Sequence, residues 1–251
     1  MIKVRNFSFK YKKDNILENL NFTIEPNEIY VLLGINGSGK STLLRCLAGL
    51  EKIDKNTILI NNKDLNDISI KDRSKLFSYV SQSTNNISEF SVLEYLQFSF
   101  VNQYKFFESE KTRNNEKILA LLKKVNMDAY INNLVIELSG GQKQIIEICA
   151  AILQDTSIIY LDEPTSALDL KNQNMVLKMI NELKASGKTI IMSDHNPNHA
   201  LYLNSKVILL DNKTIKKIDD AKKIIKISEL NSIYGNDIKN SKNLDYDEIT
   251  I

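Results

Sequence analysis

The pattern of apolar and polar positions divides the chain into short strand-like and longer helix-like stretches. Residues 2–9 alternate apolar with polar, the period of a half-exposed strand. A polar turn at 11–15 and a further strand-like run at 20–24 predict an antiparallel opening. Residues 29–33 read Ile-Tyr-Val-Leu-Leu, a continuous apolar run that predicts a strand buried on both faces. Leu43, Leu44, Leu47 and Leu50 then recur at helical spacing over 41–50. Further strands are predicted at 57–60, 77–80, 157–161, 189–192 and 206–210, with helices at 141–153 and 170–185. Between 91 and 133 the pattern turns helical and charged, as for an inserted helical subdomain. Strands alternating with helices predict an α/β fold whose core sheet is mostly parallel with right-handed crossovers.

Composition sets bounds on this picture. The 251 residues suit one large α/β domain, and 43% hydrophobic with 25% charged residues suits a packed core. A formal net charge of +2 offers no field for nucleic acid or acidic lipid, so nucleic acid is not an expected partner. Cys46 and Cys149 lie in apolar, helix-like surroundings with no paired spacing, which reads as core thiols in a reducing compartment. The amino terminus has no secretory pattern, and no apolar run approaches the ~20 residues needed to span a bilayer. The expectation is a cytoplasmic chain. The Lys- and Asn-rich end, 236–247, reads as a loose tail or a small hairpin closing on Ile249-Thr250-Ile251.

The sharpest local signal follows the buried run. Gly34, Ile35, Asn36, Gly37, Ser38, Gly39, Lys40 and Ser41 spell glycine, four variable residues, glycine, lysine and a hydroxyl, with Thr42 next. Glycines let successive backbone N–H groups converge on one anion, and a helix start adds its positive dipole end. Lys40 supplies a cation for outer phosphates, and Ser41 a hydroxyl ligand for Mg²⁺. The alternative, a glycine-rich turn before an unrelated helix, leaves the lysine and hydroxyl unexplained. Residues 158–161 end in Asp162-Glu163, which places two carboxylates at the carboxyl end of a buried strand, where such sheets bind ligands. Asp162 suits a hydrated Mg²⁺, and Glu163 suits a general base for water. Leu138-Ser139-Gly140-Gly141-Gln142 forms a second glycine-bared helix start, with Ser139 as its cap. One cradled nucleotide does not need two such starts in one chain; two copies packed head to tail do.

Taken in order, Gly34 to Thr42, Gln82, Leu138 to Gln142, Ile158 to Pro164, Ser166 to Asp169 and His195 resemble the ATP-binding cassette (ABC) ATPases of transporters. The resemblance covers nearly the whole chain. It implies an ABC-type P-loop fold: a mostly parallel RecA-like core with an antiparallel β part (1–85 and 157–235), a helical subdomain (86–156) and a tail (236–251). It implies ATP and Mg²⁺ as cofactors, with Ser41, Gln82 and Asp162 toward the metal and Glu163, Gln82 and His195 toward the reaction. Ser139, Gly140, Gly141 and Gln142 of one copy would close over the γ-phosphate held by Lys40 of the other. Asp169 would reach across the homodimer, and Tyr11 would stack on adenine. Partners implied are multi-span permease subunits at the inner face of the membrane and an extracytoplasmic substrate-binding protein.

The short stretches His195 to Leu201, Ser41 to Leu50 and Tyr234-Gly235 are similar to ATPases of iron-chelate and cobalamin importers. An exporter ATPase or a soluble, non-transport ABC ATPase shares the same motifs and stays open. So does the reading of 90–107, an aromatic stretch that fits either the core of the helical part or a groove for a permease helix. Departures from the family pattern are Asp194 where Ser or Thr is usual, Ile145 and Ala150 where arginines are common, and Ile35 where proline is common. His195 and His199 stand four apart, but Pro197 between them argues against one helix and a zinc pair.

Overall fold

A computed structural model describes residues 1–82, 89–101 and 108–225, with backbone only for 108–111. The tail, the Tyr234-Gly235 pair and the 102–107 end of the aromatic stretch lie outside the described residues. Ten strands are described: β1 (Ile2–Tyr11), β2 (Asp14–Ile24), β3 (Ile29–Leu33), β4 (Ile58–Ile60), β5 (Lys63–Asp64), β6 (Phe77–Val80), β7 (Ile158–Asp162), β8 (Thr189–Ser193), β9 (Lys206–Asp211) and β10 (Thr214–Asp220). The helices are α1 (Lys40–Leu47), α2 (Ile70–Leu76), α3 (Val92–Gln97), α4 (Glu108–Lys124), α5 (Gly140–Leu153), α6 (Leu170–Ala185), α7 (Pro197–Tyr202) and α8 (Ala221–Ile224).

Two sheets form. The antiparallel one runs β2-β1-β4-β5, and its Ile2, Val4 and Phe7 turn inward. The larger runs β10-β9-β3-β8-β7-β6, parallel from β9 to β6, with β10 closing it antiparallel at the β9 edge. β3 lies in the middle of this sheet, as its unbroken apolar run requires. Its Ile29, Val31 and Leu33 enter one buried cluster, while Tyr30 and Leu32 enter the other on the opposite face. The side-chain alternation of a strand divides one hydrophobic run between two cores.

The first cluster also takes Val92, Leu96, Phe100, Ile118, Leu122 and the inner face of α5, so α3, α4 and α5 share a core with one sheet face. Ile145 and Ala150, the two arginine positions of the resemblance, are both buried there. The second cluster joins the antiparallel sheet to α1 through Leu43, Leu44, Cys46 and Leu47. Burial pushes the Cys46 and Cys149 thiols up to about 12, which suits inert core residues.

Helix starts are built as the residue types demand. Ser139 and Gln142 form a reciprocal cap on α5: the Gln142 N–H donates to Ser139 Oγ at 3.3 Å and the Ser139 N–H to Gln142 Oε1 at 2.9 Å. Asp169 caps α6, taking the Asn172 N–H at 2.8 Å. Pro197 opens α7, so His195 lies before the helix and His199 within it.

Candidate functional site

β3 delivers the chain into the loop 34–39, and α1 leaves from it. Gly34 is the residue that lets the loop pass beside β9, because a Cβ there would come within 2.4 Å of the Leu210 carbonyl oxygen. Gly39 has φ of +97°, and a Cβ would meet Leu17 at 2.8 Å, so a side chain fails on both conformation and space. Lys40 is buried, its ammonium donating to the carbonyls of Gly34 at 2.8 Å and Ile35 at 3.1 Å. Desolvation lowers its pKa, opposed by the charges of Glu163, Asp162 and Asp194. The Ser38 hydroxyl is buried and has no partner among the described residues. A donor set of this kind, with an orphan hydroxyl and a buried cation at a bared helix start, fits a polyphosphate.

Around this loop lies a cleft of about 670 Å³, lined by Ile16, Asn36, Gly37, Gly39, Lys40, Ser41, Thr42, Gln82, Glu163 and His195. Asp162 stands at the end of β7, where Oδ1 accepts from Ser41 Oγ at 2.9 Å and Ser193 Oγ at 2.5 Å, and Oδ2 from the Tyr79 hydroxyl at 3.2 Å. Burial, then the Asp162 charge, holds that phenol in its protonated form well above the usual range. Glu163 Oε2 accepts from Gln82 Nε2 at 2.7 Å, and the Glu163 N–H donates to Ser193 Oγ at 2.9 Å. Glu163 also has φ of +48°, a left-handed backbone that costs a non-glycine residue about 1 kcal/mol or more and recurs where function fixes a side chain. Ser41 and Asp162 present hard oxygens suited to Mg²⁺, and Gln82 stands beside Glu163. The arrangement can hold a polyphosphate, a hard cation and a carboxylate base in one cleft.

Not every residue singled out from sequence meets there. Ser139 to Gln142 sit at the start of α5 and Asp169 at the start of α6, outside the cleft lining. Tyr11 is also outside it: its hydroxyl donates to Glu51 Oε1 at 2.8 Å, its ring meets Phe9 edge-on, and Glu51 is paired with Arg45 of α1 at 2.7 Å. Ser193 and Tyr79 went unread from sequence. The available signal was positional: Ser193 ends β8 in register with Asp162, and Tyr79 is the last residue but one of β6, beside β7. His199 is buried against Asp194, at 2.8 Å between Nδ1 and Oδ2.

Comparison with known proteins agrees with this geometry. Residues 17–166 match the family model described as ABC transporter. A probable iron chelatin transport ATP-binding protein of Helicobacter pylori is 33% identical over 217 residues, covering 86% of this chain and 85% of that protein. An energy-coupling factor transporter ATP-binding protein of Fusobacterium nucleatum is 36% identical over 235 residues, covering 92% and 86%. Among solved structures, a dimeric post-hydrolysis ATP-binding cassette bound to ADP and Pi superposes with TM-score 0.78 at 26% identity, covering 88% of this chain and 99% of that one. An inward-facing, metal-chelate type ABC transporter gives 0.76 at 28% identity, covering 93% and 88%. With the glycine loop, the strand-end carboxylates and the capped second helix start in place, the chain belongs to the ABC transporter family as one of its ATP-hydrolysing, ATP-binding subunits.

Proposed function

We propose that this chain is the ATPase of an importer for an iron chelate, siderophore- or haem-like, or a related metal complex, acting through a separate multi-span permease. The observation that carries the ATPase part is the convergence of Lys40, Ser41, Glu163 and Gln82 on one cleft, with Asp162 bound to Ser41 behind it. In this reading the loop N–H groups, Lys40, Asn36, Ser38 and Thr42 hold the phosphates, and Tyr11 carries the adenine. Ser41, Asp162 and Gln82 hold Mg²⁺, which when bound offsets charge on the outer phosphates. Glu163 takes a proton from the attacking water, and His195 contacts the γ-phosphate. The start of α5 in a second copy, with its Ser139, Gly140, Gly141 and Gln142, completes the site, and Asp169 lies across the contact. The two glycines put no side chain over the first turn of α5, which supports an anion-binding part for this helix start.

The cargo reading is supported by the printed names of the Helicobacter relative and the metal-chelate structure, and by the likeness of 195–201 to importer ATPases. The exposed, mutually packed Phe90 and Phe98, with rings 5.0 Å apart, offer an apolar face for a permease helix. The chain would then work on the cytoplasmic side of the membrane, opposite an extracytoplasmic substrate-binding protein and without nucleic acid. No helix among the described residues is long and apolar enough to cross a bilayer. The test is affinity purification from membranes followed by ferric-chelate uptake. A co-purifying multi-span protein, and uptake lost with the chain and restored by it, are expected. Unchanged uptake overturns the cargo; salt-sensitive nucleic-acid binding without a membrane partner overturns transport.

A further inference from the structure

β8 ends at Ser193, and the chain passes through Asp194 and His195 before α7 opens. Asp194 is 1% exposed, and its N–H donates to the Leu32 carbonyl at 3.1 Å, tying it to the strand that feeds the phosphate loop. Its carboxylate looks into a closed network. Oδ1 accepts the Asn196 N–H at 2.8 Å, and Oδ2 meets His199 Nδ1 at 2.8 Å. Asn196 Oδ1 caps α7 by accepting the Asn198 N–H at 3.0 Å, and Asn196 Nδ2 lies 3.2 Å from His199 Nε2.

Hydrogen-bond chemistry orders the donors and acceptors in this network. A carboxylate only accepts, so His199 Nδ1 carries hydrogen. The cap fixes the Asn196 oxygen, so its amide nitrogen faces Nε2 as a donor and Nε2 must accept. This pattern of partners puts hydrogen on His199 Nδ1 and a lone pair on Nε2. The ring of contacts runs Asp194, Asn196, His199 and back to Asp194, and its members flank His195, the residue of this segment that lines the cleft. A Ser or Thr at 194 could take the Asn196 N–H but has no second oxygen for His199. The residue that departs from the family pattern and the second histidine thus form a matched pair.

We propose that Asp194 and His199 are positioning residues for His195: their carboxylate–imidazole clamp fixes where the His195 ring stands over the cleft. The inference rests on His195 acting at the γ-phosphate. Phosphate binding is held by a separate element, the loop and α1, so losing the clamp should lower turnover and spare nucleotide binding. Misplacing a catalytic group by about 1 Å can cost on the order of 100-fold.

The experiment compares kcat and KM for ATP. His199→Leu, which leaves a buried carboxylate without its partner, should lower kcat about 10- to 100-fold and change KM by less than about 3-fold. The conservative His199→Asn, which keeps a donor toward Asp194, should retain most of the rate. The double variant Asp194→Ser/His199→Leu, which removes both halves, should recover much of what the single one loses. Nitrogen-edited NMR of the unaltered protein supplies a readout free of folding effects: the Nδ1–H form is expected for His199, and the Nε2–H form overturns the clamp. Full turnover in His199→Leu while His195→Ala is inactive overturns the clamp alone. Full turnover in His195→Ala overturns both it and the reading on which it rests.

Discussion

Gln82 and Glu163 are bound to each other, Nε2 to Oε2 at 2.7 Å, across a gap of 81 residues in sequence. Gln82 follows β6 and Glu163 follows β7, neighbours in the parallel sheet, so the register of two strand ends makes the contact. Ser193 at the end of β8 holds the Glu163 N–H, and the strained +48° φ turns the side chain toward Gln82. Glu163 is thus held at its backbone N–H and at one carboxylate oxygen.

That fixation makes Glu163→Gln a clean test of the base. The amide has the shape of the carboxylate and keeps a partner for Gln82, but it cannot take a proton from water. Turnover should fall about 10²- to 10⁴-fold, while ATP binding and dimer closure persist. Steady-state hydrolysis and a nucleotide titration measure the two sides, and near-normal hydrolysis would remove Glu163 from the role.

Tyr11 and Glu51 give a second prediction. The ring is steadied edge-on by Phe9 and at its hydroxyl by Glu51, itself paired with Arg45 on the helix that follows the phosphate loop. Tyr11→Ala should weaken ATP binding about 3- to 10-fold, the worth of one aromatic contact, and leave tripolyphosphate binding unchanged. Tyr11→Phe keeps the ring and should weaken ATP binding by no more than about 3-fold. Equal losses for ATP and tripolyphosphate would show that Tyr11 does not meet the base.

Much of this was legible in the sequence where a signal is local. The apolar run 29–33 and the amphipathic run 170–185 coincide with β3 and α6, and the phosphate loop is a contiguous motif. α2 escaped because none of its residues is buried and Ile70 points to solvent, leaving only the Ser69 cap on Asp72 as a sign. β10 escaped because Lys216, Lys217, Asp219 and Asp220 leave it only two apolar residues, Ile215 and Ile218, and its hairpin turns through Asn212 and Lys213, both with positive φ. The contacts of Ser193 and Tyr79 with Asp162 exist only through cross-sheet register, which no local pattern encodes.

Ser139 separates capping from catalysis. Its side chain satisfies the start of α5, so Ser139→Ala should cost about 1 kcal/mol of stability. If the hydroxyl also meets the γ-phosphate held by a second copy, turnover should fall by about 10-fold or more beyond that. Ser139→Asp restores a cap but sets a carboxylate against the phosphate. It should recover thermal stability without activity, and recovery of both would confine Ser139 to the cap.

Glu147 makes the last prediction, on pH. It lies half-buried on α5, and burial alone raises its pKa from 4.5 to about 7. Its charge also helps to raise the Tyr95 phenol to about 12, after burial of that ring. A raised carboxyl pKa means that the fold favours the neutral form, so between these two values the folded chain binds more protons than the unfolded one. Stability linked to Glu147 is therefore fully present below about pH 4.5, falls as pH rises through the window, and levels off above about 7. Glu147→Gln keeps a neutral, similar side chain and removes the titration. Melting temperatures of the two proteins should agree near pH 4.5 and diverge above it, the variant being the more stable at pH 8. Parallel curves across the range would place Glu147 in contact with water or a cation that keeps it charged.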